Sequence, residues 1–218
     1  MPAATDNPLP PLFPDDVATV FSPERPAGAA LTGIETGLAQ KMGDKRLNEF
    51  IHGRHCARLA LEAFGAKPVA IGKGDSREPL WPTGITGTIS HTGAYAAAVV
   101  SSSERYAGLG LDMESAEPLE EKLFKAICRP EETALFDPQT AGFEAKLLFS
   151  IKEAVYKCLW PSVREFIDFK EIQVELLSHD SFRAIPHTDK YPVELAEKLE
   201  GRFLTTTELV ISSAWILR

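Results

Sequence analysis

The chain has 218 residues and a formal charge of -8, because 31 Asp and Glu residues outnumber 23 Lys and Arg residues. A hydrophobic fraction of 44% with 25% charged residues is ordinary for a globular protein, which excludes disordered, collagen-like and coiled-coil classes. The acidic balance also excludes a nucleic-acid binder that works through overall positive charge, but it leaves room for a local basic pocket.

The cysteines and the N-terminus indicate a reducing compartment. Cys56, Cys128 and Cys158 are far apart and form no CxxC pair or metal-ligand spacing. The N-terminus lacks the basic and apolar regions of a signal peptide, and no apolar run approaches the roughly 20 residues of a membrane helix. We therefore expect a cytoplasmic protein with free thiols and no membrane insertion.

The first predicted elements are a short strand and a long helix. Alternation of Val17, Thr19 and Phe21 predicts a strand before the turn at Ser22. Asp44 is a plausible N-cap for a helix that runs through Phe64, with Gly65 as its stop.

Arginines on the apolar side of this helix are unusual. At about 100° per residue, Arg54 and Arg58 fall inside the apolar arc and Arg46 falls at its edge. One interpretation is that their stems pack while their charged ends reach water. The other is that this side of the helix opens onto an anion site, and the pattern alone leaves both open.

The segment from 70 to 84 is dense in glycine, proline and charge, and predicts a functional loop. Lys73, between two glycines, could reach a phosphate, although the pattern does not match a P-loop. Strands are expected over Tyr95–Val100 and Ala107–Glu114. Ser90 and His91 precede the first of them, where a histidine is more often structural than catalytic.

Asp112 and Glu114 end the second of these strands. Residues two apart share a strand face, so both carboxylates point the same way. Their repulsion is relieved by a divalent cation, and oxygen ligands suit Mg²⁺. The alternative is a solvated strand end.

A second helix is predicted over Leu147–Trp160, ended by Pro161. It carries Glu153 and Lys157 four residues apart, the favourable order for a helical ion pair. Taken alone, this pair favours a surface salt bridge. The remaining expected elements are strands over Glu171–Leu177, Phe182–Ile185 and Leu209–Leu217, and a short helix over Val193–Leu199. This order favours an α+β fold over a regular βαβ sheet.

Three ordered segments resemble the signature motifs of the Sfp-type 4′-phosphopantetheinyl transferases, with most similarity to the enterobactin synthetase component D branch. They are Gly87-Thr-Ile-Ser-His-Thr, Gly110-Leu-Asp-Met-Glu and Phe149-Ser-Ile-Lys-Glu-Ala-Val-Tyr-Lys. The helix from Lys45 to Arg58 and the Glu78-Pro-Leu-Trp-Pro loop are similar to the same branch.

The resemblance implies a pseudo-twofold monomer of two similar α+β halves, residues 1–102 and 103–218, with the active site in the cleft between them. It implies transfer of the 4′-phosphopantetheine arm of coenzyme A to a serine of an apo carrier protein or carrier domain, with release of adenosine 3′,5′-bisphosphate. Mg²⁺, or Mn²⁺ as a substitute, is the expected cofactor. Siderophore synthesis is one of several pathways that such an enzyme serves.

The resemblance also implies roles for particular residues. Glu153 is the expected general base, with Lys157 and Asp112 completing the catalytic set. The expected coenzyme A contacts are Arg46, Arg54, Lys73, Ser90, His91, Asp112 and Lys157, and the expected metal ligands are Asp112, Glu114 and Glu153. Arg58 matches a motif position without an assigned role. Two alternatives are a non-catalytic module that binds coenzyme A or a carrier, and a Mg²⁺-dependent phosphohydrolase.

Overall fold

The computed structural model describes residues 7–218. The chain divides into two compact units, Met1–Arg105 and Tyr106–Arg218. Both units combine helices with antiparallel sheet, so the α+β class expected from the element order is observed. Of residues 7–218, no helix is both long enough and apolar enough to cross a bilayer. The thiols of Cys56, Cys128 and Cys158 are free and buried.

Over residues 7–105, the first unit contains one main sheet, a small hairpin and two α-helices. In its described part the sheet order is β1-β5-β4, and all pairs are antiparallel. The elements are β1 (Ala18–Ser22), α1 (Ile34–Ala39), α2 (Asp44–Ala63), β2 (Gly72–Lys73), β3 (Pro79–Leu80), β4 (Ile85–Thr92) and β5 (Tyr95–Ser102).

Helix α2 packs on this sheet through small side chains. Ala57 and Ala60 of the helix share a buried cluster with Ala96 and Ala98 of β5. A Cβ atom at Gly53 would lie 2.9 Å from the Ile89 side chain of β4, so the helix approaches the strand closely at this point. This packing places the N-terminal half of α2 beside the end of β4.

The second unit is a larger sheet covered by one long helix. Its described strands follow the order β6-β10-β9-β8-β7, and α5 packs on β6 and β10. The elements are β6 (Tyr106–Ser115), α3 (Glu121–Ile127), α4 (Pro130–Thr133), α5 (Ala141–Val163), β7 (Ile172–Leu176), β8 (Ser181–Pro186), α6 (Val193–Glu197), β9 (Leu199–Thr205) and β10 (Leu209–Leu217).

Two glycines of β6 allow the backbone of α5 to lie directly on the strand. A Cβ atom at Gly108 would lie 1.9 Å from the Cys158 carbonyl oxygen, and one at Gly110 would lie 1.9 Å from the Ala154 carbonyl oxygen. Because alternate residues of a strand share a face, Asp112 and Glu114 continue the face that the glycines leave open. The carboxylates therefore lie on the α5 side of the sheet.

Several predicted elements are confirmed, and others differ for identifiable reasons. Helix α2 and strands β6 and β10 lie where the sequence predicts them, although Asp44 is the first helical residue and Gly43 is the cap. The expected loop from 70 to 84 contains the β2–β3 hairpin. Helix α5 begins earlier than predicted and also continues past Pro161. It tolerates this proline because a proline in the last turn removes only one hydrogen bond, and the Arg164 amide still donates to the Trp160 carbonyl oxygen.

Substitution of Gly110 by alanine tests the close approach of α5. The new methyl group would occupy the position of the Ala154 carbonyl oxygen, so the helix must move, at a cost of about 1–3 kcal/mol or more. The free energy of unfolding in urea measures this cost. Gly37→Ala is the matched control, because a Cβ atom there meets nothing within 4 Å. Equal stability of the two variants would contradict the packing argument.

Candidate functional site

A cavity of about 380 Å³ in the first unit gathers basic side chains from three elements. Arg46 and Arg54 come from α2, Lys73 from β2 and His91 from β4. Lys41 also lines the cavity. Four of the residues predicted to contact coenzyme A thus lie around one space within a single unit.

Ser90 is not among the residues that line this cavity. Side chains alternate along β4, and Ser90 is buried while the neighbouring His91 is partly exposed. The structure therefore brings His91 but not Ser90 to the basic cavity.

Arg54 is buried rather than extended toward water. Its side chain is 6% exposed and donates hydrogen bonds to the carbonyl oxygens of Ile71 and Gly72 at 3.0 and 3.1 Å. The guanidinium also lies 4.5 Å from the centre of the Phe50 ring. Burial lowers its pKa to about 10. Arg54 therefore holds the start of the hairpin against α2 while it lines the cavity.

Arg46 and His91 meet at the edge of the cavity. Nη1 of Arg46 lies 2.8 Å from Nε2 of His91 and 3.4 Å from a carboxylate oxygen of Glu49. Nδ1 of His91 lies 3.8 Å from the same carboxylate. Glu49 therefore positions two groups that were predicted to contact phosphate.

Arg58 forms an ion pair with Glu35, a residue that the sequence analysis did not single out. Glu35 is fully buried, and its carboxylate accepts a hydrogen bond from Arg58 at 2.6 Å. The same carboxylate accepts backbone bonds from Thr32 and Ile71 at 3.0 and 2.9 Å. Arg58 is thus a structural partner of Glu35, and no motif had indicated this glutamate.

The loop between β2 and β3 contributes a second unexpected residue to the cavity. Arg77 lines it and has a φ of 72°, the left-handed region that residues other than glycine rarely adopt. The Gly74 amide bonds to the Glu78 carbonyl, and the Arg77 amide bonds to the Gly74 carbonyl. These bonds close the loop on which Lys73 and Arg77 are carried.

In the second unit, carboxylates of β6 pair with lysines of α5. Nζ of Lys157 lies 2.7 Å from Asp112 Oδ1 and 3.1 Å from the Leu111 carbonyl oxygen. Nζ of Lys146 lies 3.4 Å from a carboxylate oxygen of Glu114. Lys146 was not predicted as a site residue, because it lies outside the three motif segments.

The charges of this cluster influence one another. Burial raises the pKa of Glu114, and the nearby charge of Asp112 raises it further. Burial also raises the pKa of Glu153, with Lys157 opposing and Asp112 adding to the effect. Burial alone would lower the pKa of Lys157, but the negative charges of Asp112 and Glu153 have the larger effect. The pKa of Lys157 is therefore raised. The predicted general base and its partners therefore form one electrostatic group.

Two family models cover most of the chain. Residues 34–101 match the 4′-phosphopantetheinyl transferase N-terminal domain, and residues 108–211 match the 4′-phosphopantetheinyl transferase superfamily. The transferase Npt of Nocardia iowensis is 35% identical over 164 residues, 75% of this chain and 74% of that protein. The chain belongs to the 4′-phosphopantetheinyl transferase superfamily. The resemblance expected from the three motifs is confirmed.

Two further proteins share more than a third of their aligned residues with this chain. PptT of Mycobacterium tuberculosis is 35% identical over 169 residues, 76% of this chain and 74% of that protein. Enterobactin synthase component D of Escherichia coli K12 is 37% identical over 123 residues, 54% of this chain and 57% of that protein. A crystal structure of holo-[acyl-carrier-protein] synthase from Thermotoga maritima aligns with a TM-score of 0.40 and 20% identity, over 51% of this chain and 63% of that chain.

Lys152, which precedes Glu153 in the third motif segment, belongs to a buried ion pair. It is fully buried, and its Nζ lies 2.7 Å from Glu132 and 2.9 Å from the Ile127 carbonyl oxygen. Glu132 also accepts backbone bonds at 2.7 Å from Arg129 and Val174. The pair therefore ties α5 to α4 and β7, beside the face that presents Glu153.

Loss of one member of this pair should destabilise the second unit strongly. Lys152→Met leaves the Glu132 charge buried without its cation, at an expected cost of about 3–5 kcal/mol. Urea unfolding measures the change. Lys122→Met is the control, because Lys122 pairs with Glu120 on the surface and should change stability by no more than about 0.5 kcal/mol. Similar losses in both variants would refute a structural role for Lys152.

Proposed function

We propose that this chain, as a phosphopantetheinyl transferase, moves the phosphopantetheine arm of coenzyme A to a carrier-protein serine by a Mg²⁺-assisted displacement. The single observation that carries the residue assignments is the meeting of Arg46, Arg54, Lys73 and His91 around one cavity. These groups were selected on sequence from separate segments. A phosphate-rich substrate is the simplest ligand for such a cavity.

Coenzyme A binding is assigned to the cations of the first unit. Among the residues that line the cavity, Lys41, Arg46, Arg54, Lys73 and Arg77 are cationic and Glu49 is the anionic one. Arg46 and His91 are assigned to the 3′-phosphate, because the two side chains lie together at the edge of the cavity, 2.8 Å apart. Arg54 is held rigidly by Ile71 and Gly72, which limits the entropy lost when it binds an anion.

The metal is assigned to Asp112 and Glu114, with Glu153 as a further candidate ligand. In the described part of the chain, no group of three or more His, Cys, Asp or Glu side chains is arranged to ligate a metal ion. Mg²⁺ does not require one, because it commonly uses one or two carboxylates together with substrate phosphates and water.

A buried hydroxyl beside Asp112 also fits a hydrated ion. Ser212 lies directly opposite Asp112 in the β6–β10 register. Its Oγ is buried and has no hydrogen-bond partner among residues 7–218. Such a hydroxyl can bond to a water of a hydrated ion. Bound there, Mg²⁺ would neutralise charge on the pyrophosphate and orient it.

The protein groups then divide the remaining work. Glu153 accepts the proton of the attacking serine hydroxyl, a role that suits a carboxylate whose pKa burial has raised. Lys157, whose pKa is raised by Asp112 and Glu153 despite its burial, keeps its charge and stabilises negative charge on the leaving phosphate. The pseudo-twofold arrangement, the monomeric state and the coenzyme A contact of Ser90 belong to this proposal through the family resemblance alone.

Glu153→Gln should abolish transfer while coenzyme A binding stays close to that of the wild type. The amide keeps the size of the side chain but cannot accept the serine proton. Transfer is measured as the phosphopantetheine mass gained by an apo carrier protein in the presence of Mg²⁺. In the unaltered enzyme the rate should fall as pH falls, because protonation removes the base. The midpoint should lie above the ordinary pKa of a glutamic acid, in the direction of the shift at Glu153.

Undiminished transfer by Glu153→Gln would remove this residue from the base role. Absence of any mass gain with a panel of apo carriers would contradict the transferase function itself and favour a non-catalytic binding module. Release of phosphate from nucleotides without a carrier would instead favour a phosphohydrolase.

Arg46→Ala should weaken coenzyme A binding about tenfold, as expected for loss of one charge-assisted hydrogen bond, and should affect 3′-dephospho-coenzyme A much less. Calorimetry with both ligands measures the difference. Arg46 is a cleaner probe than Arg54, because Arg54 also holds Ile71 and Gly72. Arg183→Ala, at an exposed arginine paired with Glu175, is the control. Equal losses for both ligands would refute the 3′-phosphate assignment.

A further inference from the structure

The first unit contains a second polar cavity beside the basic one. It has a volume of about 350 Å³ and is lined by Arg25, Lys45, Asn48, Glu49 and His52, together with the β4–β5 turn. Glu49 also lines the basic cavity, and the other four residues do not. Lys45, Asn48 and His52 lie on the helix that resembles the family, but none of the four was assigned a role in the site.

His52 is the buried polar group of this second cavity. His52 is only 4% exposed. Its Nε2 atom is buried and has no hydrogen-bond partner among residues 7–218. The ring makes one backbone hydrogen bond, to Ala94, of the kind that raises its pKa, so the ring is the donor in that bond. In a neutral imidazole one nitrogen donates and the other accepts, so a ring that donates to the backbone through Nδ1 leaves Nε2 as its acceptor.

The surroundings keep this ring neutral near pH 7. Burial lowers the pKa of His52 to about 4, and the positive charges of His55, Arg25 and His91 act in the same direction, while the Ala94 bond opposes them. A buried acceptor without a donor is unfavourable. A ligand that brings a hydrogen-bond donor to Nε2 would therefore be stabilised.

The charged groups of the cavity favour an anion. Lys45 and Arg25 are exposed at its rim, and the Arg25 guanidinium lies 3.5 Å from the Ala29 carbonyl oxygen. The Glu49 carboxylate faces the Arg46 guanidinium at 3.4 Å, so part of its charge is offset by a cation of the other cavity. The cavity thus combines two cations with an unsatisfied acceptor.

We propose that this cavity is a second phosphate site, which binds inorganic phosphate or a phosphate monoester. Lys45 and Arg25 pair with the charged oxygens of the phosphate, and Nε2 of His52 accepts a hydrogen bond from its P–OH group. Near pH 7 a phosphate monoester retains a proton for part of the time, since its second pKa is about 6. That P–OH group donates to Nε2, and no covalent bond changes. A carboxylate is fully ionised at this pH and lacks the donor.

The proposal does not depend on the transferase assignment. It concerns residues outside the coenzyme A set, and its test needs neither carrier protein nor turnover. Inorganic phosphate is the probe, and sulfate is the matched anion, because sulfate has a similar shape and charge but no proton to donate near pH 7.

The test is a titration of the full chain with labelled histidine rings, followed by NMR at pH 7 and constant ionic strength. His52 reports the proposed site and His91 independently reports the basic cavity; His52→Gln and His91→Gln assign the two signals. The His52 signals should shift saturably with phosphate, and the apparent affinity should be about fivefold or more above that for sulfate. His52 signals that do not respond to phosphate, or equal responses to the two anions, would overturn the proposal.

Lys45→Ala supplies a second measurement that does not disturb the buried ring. It should weaken phosphate binding at His52 about fivefold or more and leave the response of His91 to phosphate nearly unchanged. Lys67→Ala, at an exposed lysine beyond the end of α2, is the matched control and should change neither response. An unchanged affinity at His52 in Lys45→Ala would show that the cavity does not bind phosphate through its cations.

Discussion

The close approach of α5 to β6 is the constraint on which the acidic site depends. With hydrogen atoms at Gly108 and Gly110 in place of side chains, helix carbonyl oxygens occupy the space where Cβ atoms would be. The next two residues on that face, Asp112 and Glu114, then meet lysines of the same helix at 2.7 and 3.4 Å. Side chains any larger than hydrogen at the glycine positions would force the helix away and separate these charges.

Buried ion pairs hold the principal helix of each unit in place. In the first unit Glu35 binds Arg58 of α2 and the Ile71 amide, and in the second unit Glu132 binds Lys152 of α5 and the Val174 amide. Removal of one partner leaves a buried charge without compensation, which is far more costly than loss of an exposed pair. Each pair therefore restrains the helix that carries the proposed catalytic or substrate-binding residues.

The sequence predicted best what depends on local periodicity. Strand alternation placed Asp112 and Glu114 on one face, and helical spacing placed Glu153 and Lys157 together. Periodicity could not decide between the two interpretations of Arg54, because its partners Ile71 and Gly72 lie 17 and 18 residues away, at the start of a segment that was expected to be a loop. Glu35, Lys146 and Ser212 were missed for a related reason. Each acquires its meaning from a contact with a distant segment, and a single sequence carries no signal for such contacts.

The pairing of nearby charges, rather than the net charge of the chain, sets the electrostatics of the basic cavity and of the acidic cluster. In the basic cavity, Glu49 is the anionic residue among several cations, and it is shared with Arg46 and His91. In the acidic cluster, the carboxylates of Asp112, Glu114 and Glu153 outnumber the ammonium groups of Lys146 and Lys157. An overall charge of -8 is compatible with both, because most of the acidic excess lies elsewhere on the chain. Glu49 also lines the second cavity, so one carboxylate borders both spaces.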